Sequence, residues 1–172
     1  MKSIRNIAFS ALLTIGAFTA ITYTSCNKDE CKDVVCNNGG SCDNGTCVCP
    51  TGYTGSSCDN EVRASYYNTY KGNGFDNEGD TYTNWGIRYY SVGTDAKTMG
   101  MELLTNTNAP VAAMNVTLTS NTTFTINSTV DGDITYTGSG TVSETTTSVT
   151  INAKDASTSV TLIFTFNNMV KQ

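Results

Sequence analysis

Seven cysteines crowd between Cys26 and Cys58, with none elsewhere in the 172 residues, and this constrains the fold more than any other feature. Six follow the spacing Cys31-x4-Cys36-x5-Cys42-x4-Cys47-x-Cys49-x8-Cys58, within 28 residues. So short a segment cannot bury enough apolar surface to offset the entropy of ordering its backbone, so cross-links or a metal must hold it. Zinc fits poorly, because its ligands usually come as C-x2-4-C pairs and Cys47-x-Cys49 leaves a single residue between them. Disulfides remain, which implies an oxidising compartment. Spacing alone leaves every connectivity open, and an odd seventh cysteine, Cys26, stays outside any scheme that pairs the other six.

What precedes the cluster explains the odd cysteine. Lys2 and Arg5 stand ahead of the apolar run from Ile7 to Phe18, the order of a secretory signal, so residues 1–25 are expected to be absent from the mature protein. The signal ends in Thr24-Ser25-Cys26, which resembles the lipobox of bacterial lipoproteins, with Tyr23 departing from the usual aliphatic residue. That resemblance implies that Cys26 is acylated and becomes the new N-terminus. Each acyl methylene buried in lipid contributes about 0.8 kcal/mol, and several chains together hold a protein firmly on a membrane. The next residues form a short tether, 26–30, in which Lys28, Asp29 and Glu30 are similar to the signal that sends certain Gram-negative lipoproteins outward. Together these resemblances imply an outer-membrane, lipid-anchored protein facing the cell exterior. The plainer alternatives are an ordinary cleavage site followed by one more cysteine, and a merely solvated tether.

Within the cluster, Cys36-Asn37-Asn38-Gly39-Gly40-Ser41-Cys42 and Cys49-Pro50-Thr51-Gly52-Tyr53-Thr54-Gly55-Ser56-Ser57-Cys58 resemble an epidermal-growth-factor-like (EGF-like) domain over residues 31–58. By that family's pattern the pairs are Cys31 with Cys42, Cys36 with Cys47, and Cys49 with Cys58. Gly39, Gly52 and Gly55 stand where a tight backbone requires positive φ. Some relatives bind calcium just before the first cysteine, and Asn27-x-Asp29-Glu30 partly fits; the short loop Asp43-Asn44-Gly45-Thr46 lacks the rest of that pattern. The module reads as a rigid spacer, whose reduction is expected to unfold it and leave the remainder folded.

A second domain, 61–172, begins where cysteine vanishes and threonine and asparagine become frequent. Its apolar residues follow period two, the mark of half-buried strands. Phe124, Ile126 and Val130 are expected on one face, and Ile134, Tyr136 and Val142 on the next strand's. Val149 with Ile151, and Val160, Leu162, Phe164 and Phe166, continue the pattern. Val130-Asp131-Gly132-Asp133 gives a hairpin signal. Earlier, Trp85, Ile87 and Tyr89 alternate while Tyr90 and Val92 fall out of phase, suggesting a bulge near Tyr89. Met99, Met101 and Leu103 follow, then a turn at Asn108-Ala109-Pro110, then Met114, Val116 and Leu118. With a first strand over 66–71 the count is about eight, with no helix. Short links make neighbours antiparallel, and such a set closes into a meander barrel or folds as a β-sandwich. The Thr137-Gly138-Ser139-Gly140-Thr141-Val142 run and the threonine strands around it resemble lipocalin-like domains of bacterial surface lipoproteins.

Histidine is absent, which removes the usual general base, and the net charge of −5 excludes a basic footprint for nucleic acid. Glu78 and Asp80 are the carboxylates a glycosidase reading would have to use, and nothing marks them as a pair; the protein is expected not to be an enzyme and to need no cofactor. Asp76, Glu78 and Asp80 place carboxylates at alternate loop positions, a weak calcium candidate. Half of the sixteen aromatics lie between Tyr66 and Tyr90, and Tyr82, Trp85, Tyr89 and Tyr90 are candidate ligand-binding residues, the alternative being that they fill the barrel. Two function classes follow. One is a non-catalytic surface binding protein for a small apolar molecule, glycan or host protein. The other is a structural or adhesion protein with a filled barrel making protein contacts. An interior cavity separates them.

Overall fold

The computed structural model describes residues 30–172. The expected signal 1–25, Cys26, Lys28 and Asp29 lie outside the described residues; Glu30 lies within them and is exposed. The module opens with strands β1 (Ser41–Asp43) and β2 (Thr46–Val48), joined through Asn44 and Gly45 at φ of 47° and 77°, the left-handed pair that a tight hairpin turn needs. Its bridges are Cys31–Cys42, Cys36–Cys47 and Cys49–Cys58, the pairing that the family resemblance implies. Gly40 is squeezed against them: a Cβ there would sit 2.8 Å from the Cys58 sulfur. A second hairpin, β3 (Tyr53–Thr54) with β4 (Asn60–Glu61), runs past Cys58. It leads into α1 (Arg63–Tyr66), a single helical turn where no helix is expected; four residues are too few to show helical periodicity.

Eight strands then follow: β5 (Thr69–Asp76), β6 (Thr81–Ser91), β7 (Thr98–Leu104), β8 (Pro110–Leu118), β9 (Thr123–Asp131), β10 (Ile134–Val142), β11 (Thr146–Asp155) and β12 (Thr161–Lys171). Each pairs antiparallel with its sequence neighbours, and β12 closes on β5 through Phe164 opposite Asp76 and Phe166 opposite Gly74. The result is a closed barrel rather than a sandwich. Closure gives every strand two hydrogen-bonded neighbours, at the requirement that inward side chains fill the space.

Bulges decide which side chains point in. On β6 three steps from Tyr82 to Trp85 oppose two from Gly74 to Gly72. Asn84 takes φ 56° there and its N–H donates to the Asn73 side chain at 3.0 Å, so Tyr82 and Trp85 both pack toward the interior. On β12 the same device at Asn167 and Asn168, the latter at φ 50°, brings both Phe166 and Met169 inside. On β9 a bulge at Asn127 and Ser128 reverses the phase, so Val130 is 68% exposed instead of sharing a face with Phe124 and Ile126. No bulge occurs at Tyr89: Tyr89 opposes Met101 and Tyr90 opposes Gly100 in unbroken register. Tyr90 lies on the outer wall over Gly100, where a Cβ would meet its ring at 2.4 Å. An aromatic seated in that glycine slot imitates a slip in sequence. The hairpin signal is right in place but one residue off, since Gly132 and Asp133 form the turn between Asp131 and Ile134.

The two ends of the barrel differ. At the end where α1 enters, Val62 and Tyr66 join the core, the Tyr66 hydroxyl donates to the Asn121 carbonyl, and the Tyr70 hydroxyl donates to that of Ser143 at 2.8 Å. Arg63, buried, donates to Glu61 at 2.7 Å and to the carbonyls of Val92 and Thr98 at 3.1 and 2.9 Å. Across the waist, inward glycines are filled by neighbours' rings. Phe166 lies over Gly74 and Phe124 over Gly140, where added Cβ atoms would come within 2.3 and 2.5 Å of them. One end is therefore plugged and the middle is solid.

The module is fixed to that plugged end. The Gly52 N–H donates to Asn121 Oδ1 at 2.9 Å, and Asn121 Nδ2 donates to the Tyr53 carbonyl at 3.1 Å. Gly52 also lies against the Ala96 carbonyl, 3.1 Å from where its Cβ would be.

Candidate functional site

At the opposite end the filling stops. Above the waist, β10 turns Ile134 and Tyr136 inward, β11 turns Ala153 inward, and β12 turns Leu162 and Phe164 inward. Together with Leu103 below and Val111 and Val160 at the rim they surround a cavity of about 400 Å³, within the range of roughly 300–1,000 Å³ in which small-molecule sites fall. Two features leave it open. Ala153, between Tyr136 and Leu162 on the neighbouring strands, is too short to reach across. The wall also parts: β8 and β9 pair only from Val116 to Leu118 opposite Phe124 to Ile126, and the β9 bulge carries the upper half of that strand away. This is an apolar cup in the barrel mouth.

Polar groups gather at its rim. Asp155 Oδ1 accepts from the Ser157 N–H at 2.7 Å, the Ser157 hydroxyl at 2.6 Å and the Thr158 N–H at 3.1 Å. The Ser157 hydroxyl first, then these backbone donors, hold the carboxyl below its ordinary range, so it is ionised at neutral pH. Tyr136 is pushed up by burial and further by the Asp131 charge, which puts a second carboxylate within electrostatic reach of the lining.

The candidate aromatics divide. Tyr82 and Trp85, half-buried, belong to an interior aromatic cluster beside the cup: their rings are 4.6 Å apart, Tyr82 is 5.6 Å from Phe164, and Trp85 stacks on Phe166 at 6.2 Å. They support the cup through Phe164 rather than line it. Tyr89 is corrected to a core residue, 1% exposed, its hydroxyl bonded to Thr147 Oγ1 at 2.8 Å. Tyr90 is corrected to the outer wall, because Gly100 accommodates its ring. Phe164, Leu162 and Ala153 are the residues sequence reasoning missed as site residues; only their inward phase was visible.

The three loop carboxylates do not form a metal site. Asp76 turns inward, 6% exposed. Its Oδ1 accepts from the N–H groups of Glu78, Gly79 and Asp80, each at 3.0 Å, and its Oδ2 from the Tyr82 hydroxyl at 2.6 Å. Among the described residues no group of three or more Asp, Glu, Cys or His is placed to hold a metal ion. Glu78 and Asp80 are exposed. A larger concavity of about 490 Å³ lies on the outer wall beside Lys71, Arg88 and Asn106; it is a polar groove, and Glu102 pairs with Arg88. The cup is the better candidate because apolar side chains converge there around few polar ones.

Fold and site define a class: an EGF-like disulfide module docked on a closed eight-stranded antiparallel barrel with one plugged and one cupped end. The family model for the EGF-like domain matches residues 26–58. No curated protein matches the chain.

Proposed function

We propose that this is a non-catalytic binding protein that takes a small apolar molecule into the cup at the barrel mouth. The observation that carries the reading is the unfilled apolar space of about 400 Å³ above a solid waist. A barrel with only a structural part to play has no need of it, since an exposed apolar concavity is a liability unless something covers it. The N-terminal signal, the lipobox-like Cys26 and the Lys28-Asp29-Glu30 tether support a lipid-anchored protein facing outward from the outer membrane. The module, fixed at the plugged end, then lies between membrane and barrel and holds the cup on the far side. The adhesion reading draws support from Val35 and Val48, 72% and 55% exposed on the module.

Decanol, an uncharged chain alcohol, tests the binding reading by calorimetric titration. Saturable binding is expected, and Ala153→Phe, which fills the cup, is expected to abolish it. Heat that stays linear to the solubility limit, or binding equal in the filled variant, would defeat the reading. Cys26→Ser and external protease on intact cells test the anchor and its orientation.

A further inference from the structure

The cup's rim is strongly one-signed. Strands β5, β7, β9 and β11 run toward the mouth and β6, β8, β10 and β12 away from it, so four connections, 77–80, 105–109, 132–133 and 156–160, crown the cup. In or beside these stand Asp76, Glu78, Asp80, Asp131, Asp133 and Asp155. Two basic side chains stand at that level, both on the outer wall: Lys154, which alternates with inward Ala153 and is exposed, and Lys71, whose Nζ donates to the Asn84 and Thr105 carbonyls at 3.4 Å. Arg88 pairs with Glu102, and Lys97 and Lys171 lie at the plugged end. Two of the acids bear on the lining directly. Asp155 itself borders the cup, with Oδ1 held by its own turn. Asp131 stands opposite Ile134, a lining residue, on β9, as Asp155 does on β11, so the two carboxylates flank it in one row.

An apolar space by itself selects for length and bulk. Low-dielectric walls beneath a ring of like charge add selection for sign, since they focus the field at the entrance and a head group left there is only partly hydrated. A carboxylate-headed chain would bring its charge to this rim with no inward-facing cation to meet it, since Lys71 and Lys154 both lie on the outer face. An ammonium-headed chain would meet Asp155 and Asp131.

We propose that the cup binds an apolar molecule bearing a cationic amine head, with its chain against Leu162, Phe164 and Ala153 and its ammonium at the rim between Asp155 and Asp131. This rests on the binding function proposed above and adds the head-group class.

The experiment compares three probes with one tail, decylammonium, decanol and decanoate, by calorimetry at pH 7 and low salt, below their aggregation limits. At this pH the amine is fully charged, its pKa being near about 10. Decylammonium is expected to bind about tenfold more tightly than decanol and decanoate about tenfold more weakly. The doubly neutralised variant Asp155→Asn with Asp131→Asn, whose amide oxygens still accept the turn hydrogen bonds, is expected to bring all three within about threefold. Raising salt should narrow the wild-type spread in the same direction. Ala153→Phe should remove decylammonium binding. If decanol binds but decanoate matches or exceeds decylammonium, the head-group inference is overturned and the cup survives. Decylammonium binding that persists in Ala153→Phe marks adsorption to the acidic surface and also overturns it. If no probe binds, the binding function itself fails.

Discussion

Asp76 shows how one side chain settles a piece of architecture. Its carboxylate gathers three backbone N–H groups of the 77–80 turn and the Tyr82 hydroxyl. The Tyr82 bond first, then the backbone bonds, hold its pKa below the ordinary value, while burial and Asp76 push Tyr82 up to about 12. A depressed carboxylate stabilises the fold above its unfolded pKa, and that contribution is lost as the pH falls through the folded value. A raised phenol stabilises it below pH 10, and that contribution is lost between 10 and about 12, where Tyr70, also raised to about 12, adds to the fall. Urea midpoints measured across pH are therefore expected to decline at both ends. Asp76→Asn, which cannot accept from Tyr82 through its amide nitrogen, should be less stable at neutral pH and flatter in the acid limb. An unchanged acid limb would mean that Asp76 does not carry it. In the sequence Asp76, Glu78 and Asp80 look alike; only burial singles out the first, and burial is a property of the closed barrel.

The strands themselves were legible because period two survives in most of them: Met99, Met101 and Leu103 face Val116, Met114 and Ala112 as alternation predicts. Bulges were not, since those on β6, β9 and β12 consist of asparagines and small polar residues that look like any other part of a threonine-rich strand. Nor was the cup, because it arises from the level at which Ala153 meets strands far from it in sequence. Glycines separate two physical effects at this scale. Gly140→Val must displace the Phe124 ring and approach the Ser148 carbonyl, which a Cβ would reach at 2.4 Å, and is expected to cost about 1–3 kcal/mol or more. Gly132→Ala meets nothing within 4 Å and bears only the φ of 57°, a penalty of about 1–2 kcal/mol. Denaturant midpoints of both variants check the order; equal losses would contradict the filled waist.

For the molecule as a whole, the docking of module on barrel adds to an expectation. Residue patterns suggested a spacer whose reduction unfolds it and leaves the remainder folded. The Asn121 side chain grips the Gly52 loop, and that loop is closed by Cys49–Cys58. Reduction removes the loop's constraint and with it two hydrogen bonds to the barrel, worth about 0.5–1.5 kcal/mol each. Barrel melting is expected to fall by roughly 4 °C in dithiothreitol, and by clearly less in Asn121→Ala, which lacks the latch already. Equal shifts in both proteins would show the latch to be idle.

The plugged end has a bearing on traffic as well. With α1 seated beneath it and rings of Phe124 and Phe166 across the waist, the barrel is a vessel with one door rather than a conduit. A guest must leave by the way it came and cannot be pushed out from behind. Its residence time is then set by the four connections around the mouth, so exchange should be slowed by anything that crowds that pole and left unchanged by events at the other.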